Sequence, residues 1–143
     1  LDFSGYLQVS GESESTGVEL IAEVPVNDVV TITANYTYND TEDAEGFQRL
    51  RAPEQLGNLG LRLTPMDGKL TLNANLRISR ERADERGLAV DDYELLDISA
   101  SYQALENVEV FGRIENVTDE DYEEIPTYNT SGVAGYAGVR ITF

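Results

Sequence analysis

Apolar and polar residues alternate along most of this chain. In "GVELIAEV" (17–24), Val18, Leu20, Ala22 and Val24 fall on one side of an extended segment and Glu19 and Glu23 on the other, with only Ile21 out of step. Successive strand side chains point to opposite faces, so a period of two predicts a β-strand with one apolar face. "VVTITANYTY" (29–38) repeats the pattern with Val30, Ile32, Ala34, Tyr36 and Tyr38, and its β-branched and aromatic residues suit a pleated surface. Leu59, Leu61 and Leu63 in "NLGLRLT", and Leu70, Leu72, Ala74, Leu76 and Ile78 in "LTLNANLRIS", predict two more strands. Leu96, Ile98, Ala100, Tyr102 and Ala104 mark another, and Val108, Val110, Gly112 and Ile114 the next. With "YLQVS" (6–10) and the closing "GVAGYAGVRITF" (132–143), the expectation is about eight strands, all-β and antiparallel.

The connections alternate in length. "PVND" (25–28), "TPMDGK" (64–69) and "ALEN" (104–107) are tight, turn-rich links, whereas 39–54, 80–92 and 118–135 are long. An up-and-down meander would therefore gather short turns at one end and long loops at the other, with the short "GESES" (11–15) as the exception. The long segments hold fifteen acidic residues against five basic ones, so one end of the sheet is expected to be strongly acidic.

Alternation does not reveal whether the apolar face looks into a core or out into lipid. No apolar run is long enough for a spanning helix, but a membrane β-strand needs only about 9–11 residues. The mean hydropathy of -0.34 is compatible with a barrel, because the polar face dilutes the apolar one. Short turns opposed to long charged loops match the layout of outer-membrane barrels. Tyr36, Tyr38, Tyr93, Tyr102 and Phe143 stand near strand ends, where an aromatic girdle would meet lipid headgroups.

Composition removes several alternatives. The chain has neither His nor Cys, which takes away the commonest general base, thiolate chemistry and disulfides. Its formal charge of -17 is opposite to the basic footprint that nucleic acid requires. No phosphate-binding loop, nucleophile elbow or metal-ligand helix is present, so no catalytic residue, cofactor-binding residue or metal ligand is assigned. "NDTEDAE" (39–45) and "TDEDYEE" (118–124) supply oxygen ligands of the kind Ca²⁺ takes, but neither has the spacing of a calcium loop, and solvated loops are the expectation. The first residue is Leu1 and no leader segment precedes the strands, so the chain is expected to be a portion of a longer protein or one whose leader has been removed.

The stretch "DDYELLDISASYQALENVEVFGRIENVTDEDYEEIPTYNTSGVAGYAGVRITF" (91–143) resembles the C-terminal end of TonB-dependent outer-membrane receptors. The likeness lies in the order of parts: a Tyr-containing strand with a central Asp (Tyr93, Asp97), then "VFGRIENVTDEDY", then a Tyr- and Gly-containing loop, then a last strand ending in Phe. "ENVTDEDY" stands where the family often has Glu-Asn-Leu-Phe-Asp, departing at Val117 and Thr118. Upstream, "TGVEL", "TANYTYND" and "RAPEQLGNLGL" are similar to successive strands of these receptors, so the resemblance covers nearly the whole chain, 1–143.

The resemblance implies an antiparallel up-and-down transmembrane β-barrel segment, the wall of a vitamin B12 or siderophore type of importer. It implies as partners the outer-membrane bilayer, the barrel-assembly machinery and a metal-chelate ligand, with TonB engaged only through N-terminal regions beyond these residues. The plug domain of such receptors is absent from the chain, which alone is expected not to transport. Glu19, Glu23, Arg62, Arg77, Asp97, Arg113, Glu115 and Arg140 would face the lumen. Val139, Ile141 and Phe143 would face lipid and, as a final strand ending in an aromatic, resemble the signal read at barrel assembly. Two readings of the pattern stay open beside this one: a soluble β-barrel or sandwich holding a small apolar ligand, and a complete eight-stranded outer-membrane barrel.

Overall fold

The computed structural model describes residues 12–42, 53–83, 89–125 and 128–143. Among the described residues, seven strands form one antiparallel sheet: β1 (Glu14–Pro25), β2 (Val30–Glu42), β3 (Gln55–Leu63), β4 (Leu70–Arg80), β7 (Tyr93–Leu105), β8 (Val108–Glu115) and β9 (Ala134–Ile141). Between β4 and β7 a two-stranded ribbon, β5 (Arg82–Ala83) and β6 (Ala89–Val90), stands apart from it. The order β1-β2-β3-β4-β7-β8-β9 follows the chain, so the sheet is a meander with no crossover. Its end strands β1 and β9 are not paired with each other, and the sheet is open.

Seven of the expected strands are therefore present, while the expected strand at 6–10 lies outside the described residues. β1 starts at Glu14, so Glu14 and Ser15 of the supposed link belong to the strand. The ribbon escapes a reading by alternation because each of its strands has only two residues.

Short connections fall at one end, each closed by local chemistry. Between β1 and β2, Asn27 Oδ1 accepts the N–H groups of Val29 and Val30, both at 2.9 Å, an Asx turn that sets the reversal. Between β3 and β4, Met66, Asp67 and Gly68 all take positive φ; a residue without Cβ meets no steric penalty there, which places Gly68 (φ 82°) at the tightest point. β7 and β8 join through a bulge at Gln103 and Leu105, where the Gln103 amide donates to the Leu105 carbonyl at 2.7 Å. The connections from β2 to β3, β4 to β7 and β8 to β9 are the long ones and lie at the opposite end.

Register joins the apolar positions into one face. One row runs Ala22, Ala34, Leu59, Leu76, Leu96, and a neighbouring row runs Val24, Ile32, Leu61, Ala74, Ile98, Ile114, Gly135. This face is not a core: Leu20 is 62% and Val139 60% exposed. Around its centre the small residues Ala74, Ala100, Gly112, Gly135 and Ala137 help line an open depression of about 630 Å³. In water, so much contiguous apolar surface is an association liability; in hydrocarbon it is the matched side of the sheet.

Candidate functional site

The opposite face carries the polar chemistry. Strand parity and register place Glu19, Glu23, Arg62, Arg77, Asp97, Arg113, Glu115 and Arg140 on this one side, with Glu109 among them. Between these charges lies a field of amides and hydroxyls. Asn58 Nδ2 donates to Asn35 Oδ1 at 2.9 Å, Arg62 Nε to Asn73 Oδ1 at 3.4 Å, and Asn73 Nδ2 to Ser99 Oγ at 3.2 Å. Such cross-strand pairs orient the side chains of a polar face.

Toward β9 the cations are stacked and paired. Arg113 lies 4.5 Å from the Tyr136 ring centre and 3.2 Å from Glu115, and Arg140 donates to Glu109 at 2.7 Å while sitting 5.6 Å from the Phe111 ring. Phe111 also explains Gly138, its cross-strand partner: a Cβ there would stand 2.5 Å from the ring's Cζ. These ion pairs are largely exposed, so each adds little stability and mainly fixes side-chain orientation.

The buried part of the described residues sits on this polar side, at the long-loop end. Tyr93 and Leu95 are each 6% exposed and Ser79 1%. Tyr93 pairs with Ser79 across β4 and β7, which puts it on the polar face; it is therefore not a girdle residue, contrary to the expectation from its strand-end position. Its ring is covered by Tyr122 at 4.7 Å, so what attracts it is another loop and not headgroups. Burial, with Glu124 and Tyr93 nearby, pushes the Tyr122 phenol up, so this ring stays neutral in the physiological range. Tyr36, Tyr38 and Tyr102 do share the apolar face, the first two toward the long-loop end and the third toward the short turns, where Phe143 also lies fully exposed beyond β9.

The segment that carries the resemblance, "ENVTDEDY", folds as a polar hinge off β8. Asn116 takes a left-handed φ of 50°, a conformation that Asn tolerates better than most residues, and is 4% exposed. Its backbone N–H donates to Asp97 Oδ1 at 2.9 Å, its Nδ2 to the Glu120 carbonyl at 2.9 Å, and its Oδ1 accepts the Glu120 N–H at 2.8 Å. Asp119 Oδ1 accepts the Val133 N–H at 3.0 Å, which brings the far side of the same connection back. Asp97, expected to face the lumen, also holds the start of this connection. Val117 and Thr118, where the sequence departs from the family pattern, follow the hinge without supplying these side-chain bonds; Val117 contributes its backbone N–H to the Leu96 carbonyl at 2.8 Å.

A second polar cluster frames the rim on the other face. Tyr36 donates to Gln55, Gln55 to Glu81, and Arg80 bridges Asp92 and Glu94. The hydrogen-bonded Glu81 carboxyl holds Glu54 above its ordinary range, reinforced by desolvation and by Asp40. No group of three or more potential metal ligands converges among the described residues.

The family model described as "TonB dependent receptor-like, beta-barrel" matches residues 2–117. The chain is 28% identical over 134 residues to the vitamin B12 transporter BtuB of Photobacterium profundum, covering 92% of this chain and 22% of that protein. It is 25% identical over 143 residues to the vitamin B12 transporter BtuB of Vibrio cholerae serotype O1, covering 96% and 23%. The crystal structure of the siderophore receptor PiuA from Acinetobacter baumannii superposes with a TM-score of 0.78 at 23% identity, covering 92% of this chain and 22% of that one. The chain thus spans less than a quarter of the length of these relatives, and the open arc of sheet corresponds to part of a receptor barrel. With most of its length matched to that family, an all-antiparallel meander and two chemically opposed faces, this chain belongs to the TonB-dependent receptor β-barrel family of the outer membrane.

Proposed function

We propose that the chain is the C-terminal wall portion of a receptor that imports a metal chelate of the siderophore or vitamin B12 class across the outer membrane. The observation that carries this reading is the register itself: one apolar face, continuous across seven strands, exposed on most of them and half-buried along β4, backs a face of charges, amides and hydroxyls. The first face suits lipid and the second a hydrated lumen. The vitamin B12 transporters and the siderophore receptor among its relatives supply the chelate class. Glu19, Glu23, Arg62, Arg77, Asp97, Arg113, Glu115 and Arg140 face the lumen in this reading, and the wall performs no catalysis. Among the described residues the outer edges of β1 and β9 have no strand partner, and in this reading they join further strands, because exposed backbone groups in hydrocarbon cost several kcal/mol each.

This portion alone does not transport; TonB and most ligand contacts belong to regions outside it. The complete gene product should restore TonB-dependent uptake of labelled cyanocobalamin or of a ferric siderophore to a receptor-deficient strain. Failure with a broad panel of both, despite correct insertion, would remove the chelate assignment. Val139, Ile141 and Phe143, which continue the apolar parity of β9, serve in this reading as contacts for the barrel-assembly machinery. Phe143→Ala should lower the yield of heat-modifiable, inserted barrel, and an unchanged yield would count against that role.

A further inference from the structure

Among the described residues, one cation is buried without a carboxylate partner. Arg82 is 7% exposed, although the chain carries 27 acidic residues that could have neutralised it. Both terminal nitrogens of its guanidinium instead donate to backbone carbonyls, Nη1 to Glu123 at 2.7 Å and Nη2 to Asp91. Its flat face lies over Tyr93, 4.6 Å from the ring centre. Tyr93 is in turn covered by Tyr122, at 4.7 Å and a 45° tilt. Asp91 precedes β7 and Glu123 lies in the connection after β8, so a single side chain reaches both long connections. Tyr122 docks from the second connection onto Tyr93, the first residue of β7, where the first connection ends, and Thr130 Oγ1 holds the Tyr122 carbonyl from the far side.

From this arrangement we infer that Arg82, Tyr93 and Tyr122 form a clasp that joins the β4–β7 and β8–β9 connections into one body at the long-loop end of the polar face. Arg82 is a positioning residue in it. A planar guanidinium presents divergent donors to two carbonyls while stacking on a ring; an ammonium on a flexible stem does not reproduce that fork. The hinge at Asn116 fixes where the second connection leaves β8, and the clasp fixes where it lands. With both points held, this sector of the rim moves as a unit, and any ligand-driven rearrangement there displaces both connections together. The inference goes beyond the proposed transport role and does not depend on which chelate is carried.

Hydrogen–deuterium exchange on the complete gene product in proteoliposomes tests it, read on peptides covering 89–95 and 116–125. Arg82→Lys should speed exchange in 116–125 by about tenfold, and Tyr122→Ala should speed it in 89–95, so each change is felt in the other connection. Tyr122→Phe keeps the ring and should leave both peptides as in the parent. Arg82→Lys combined with Tyr122→Ala should add little to either single change, because the clasp is already open. Effects confined to the mutated connection, or effects that multiply in the double variant, would overturn the clasp. Heat modifiability on gels confirms that each variant is a folded barrel; if Tyr122→Ala fails to insert, Arg82→Lys and Tyr122→Phe decide the matter alone. Exchange is read without any uptake, so loss of the transport assignment would leave this result standing.

Discussion

The backbone N–H of Asn116 donates to Oδ1 of Asp97 at 2.9 Å, tying the residue that follows β8 to the middle of the polar face of β7. Two positions nineteen residues apart are thereby locked at the point where the sheet gives way to the connection that leads to β9. Because Asn116 is buried, its amide must satisfy itself locally, and it does so on both backbone groups of Glu120.

Asn116→Ala should lower the unfolding free energy of the reconstituted barrel by about 2–4 kcal/mol. It removes the side-chain partner of the half-buried backbone groups of Glu120 and places a Cβ without side-chain compensation in the left-handed region. Asn116→Asp keeps the acceptor for the Glu120 N–H but loses the donor to its carbonyl, so it should fall between Ala and the parent. Denaturant titration followed by tyrosine fluorescence or by gel mobility gives the ranking, and equal costs for Ala and Asp would show the amide to be passive.

The two faces should respond oppositely to charge. Leu59 sits at the centre of β3 on the apolar face and Asn75 on the polar face of β4. Leu59→Arg should cost about 2–4 kcal/mol in vesicles, the penalty for a cation on the lipid side of a barrel, whereas Asn75→Arg should stay within about 1 kcal/mol. These 143 residues contain no Cys, so single Cys substitutions at the same two positions place one spin label each in this part of the wall. Oxygen should reach the label at 59 and a water-soluble relaxant the label at 75; the reverse pattern would invert the assignment of faces.

Two glycines are expected to tolerate alanine differently. At Gly17 a Cβ would stand 2.5 Å from the backbone carbonyl oxygen of Tyr38, which has no freedom to withdraw without shifting β2. At Gly138 the obstacle is the Phe111 ring, which can swing about χ1 and χ2. Gly17→Ala should therefore cost about 1–3 kcal/mol, and Gly138→Ala less. Adding Phe111→Ala should relieve Gly138→Ala and leave Gly17→Ala unchanged, as melting of the single and double variants would reveal.

Acid should tighten the rim beside β3. The carboxyl of Glu54 is held above its ordinary range chiefly by its hydrogen bond with Glu81, so the folded protein binds that proton more firmly than the unfolded chain. Its stabilising contribution is full below the unfolded value and is lost as pH rises through the raised one. The backbone bond from Glu54 N–H to the Glu81 carbonyl, 3.0 Å long, reports on this contact. Its exchange protection, corrected for intrinsic rate, should increase as pH falls across the carboxylate range. Glu54→Gln should flatten that dependence; an unchanged slope would place its source elsewhere.

Alternation alone assigns every charged residue expected in the lumen to one face, and pairing moves none of them to the other. Face membership follows from covalent geometry, since each residue turns its side chain opposite to the last. The short turns are equally legible, because Asn27 and Gly68 act within a few residues of themselves. Tyr93 is misread for the same reason in reverse: its position near a strand end says nothing about Tyr122, a loop residue that covers it from across the sheet. Arg82 looks like one charge in an acidic loop, and only the meeting of two connections turns it into a buried fork between carbonyls. The sequence by itself determined the seven strands of the main sheet, their two faces and the alternation of turns and loops, all set by neighbours along the chain. The tertiary structure decided the open sheet, the Asn116 hinge and the Arg82 clasp, because those depend on residues brought together only after β4, β7 and β8 have aligned.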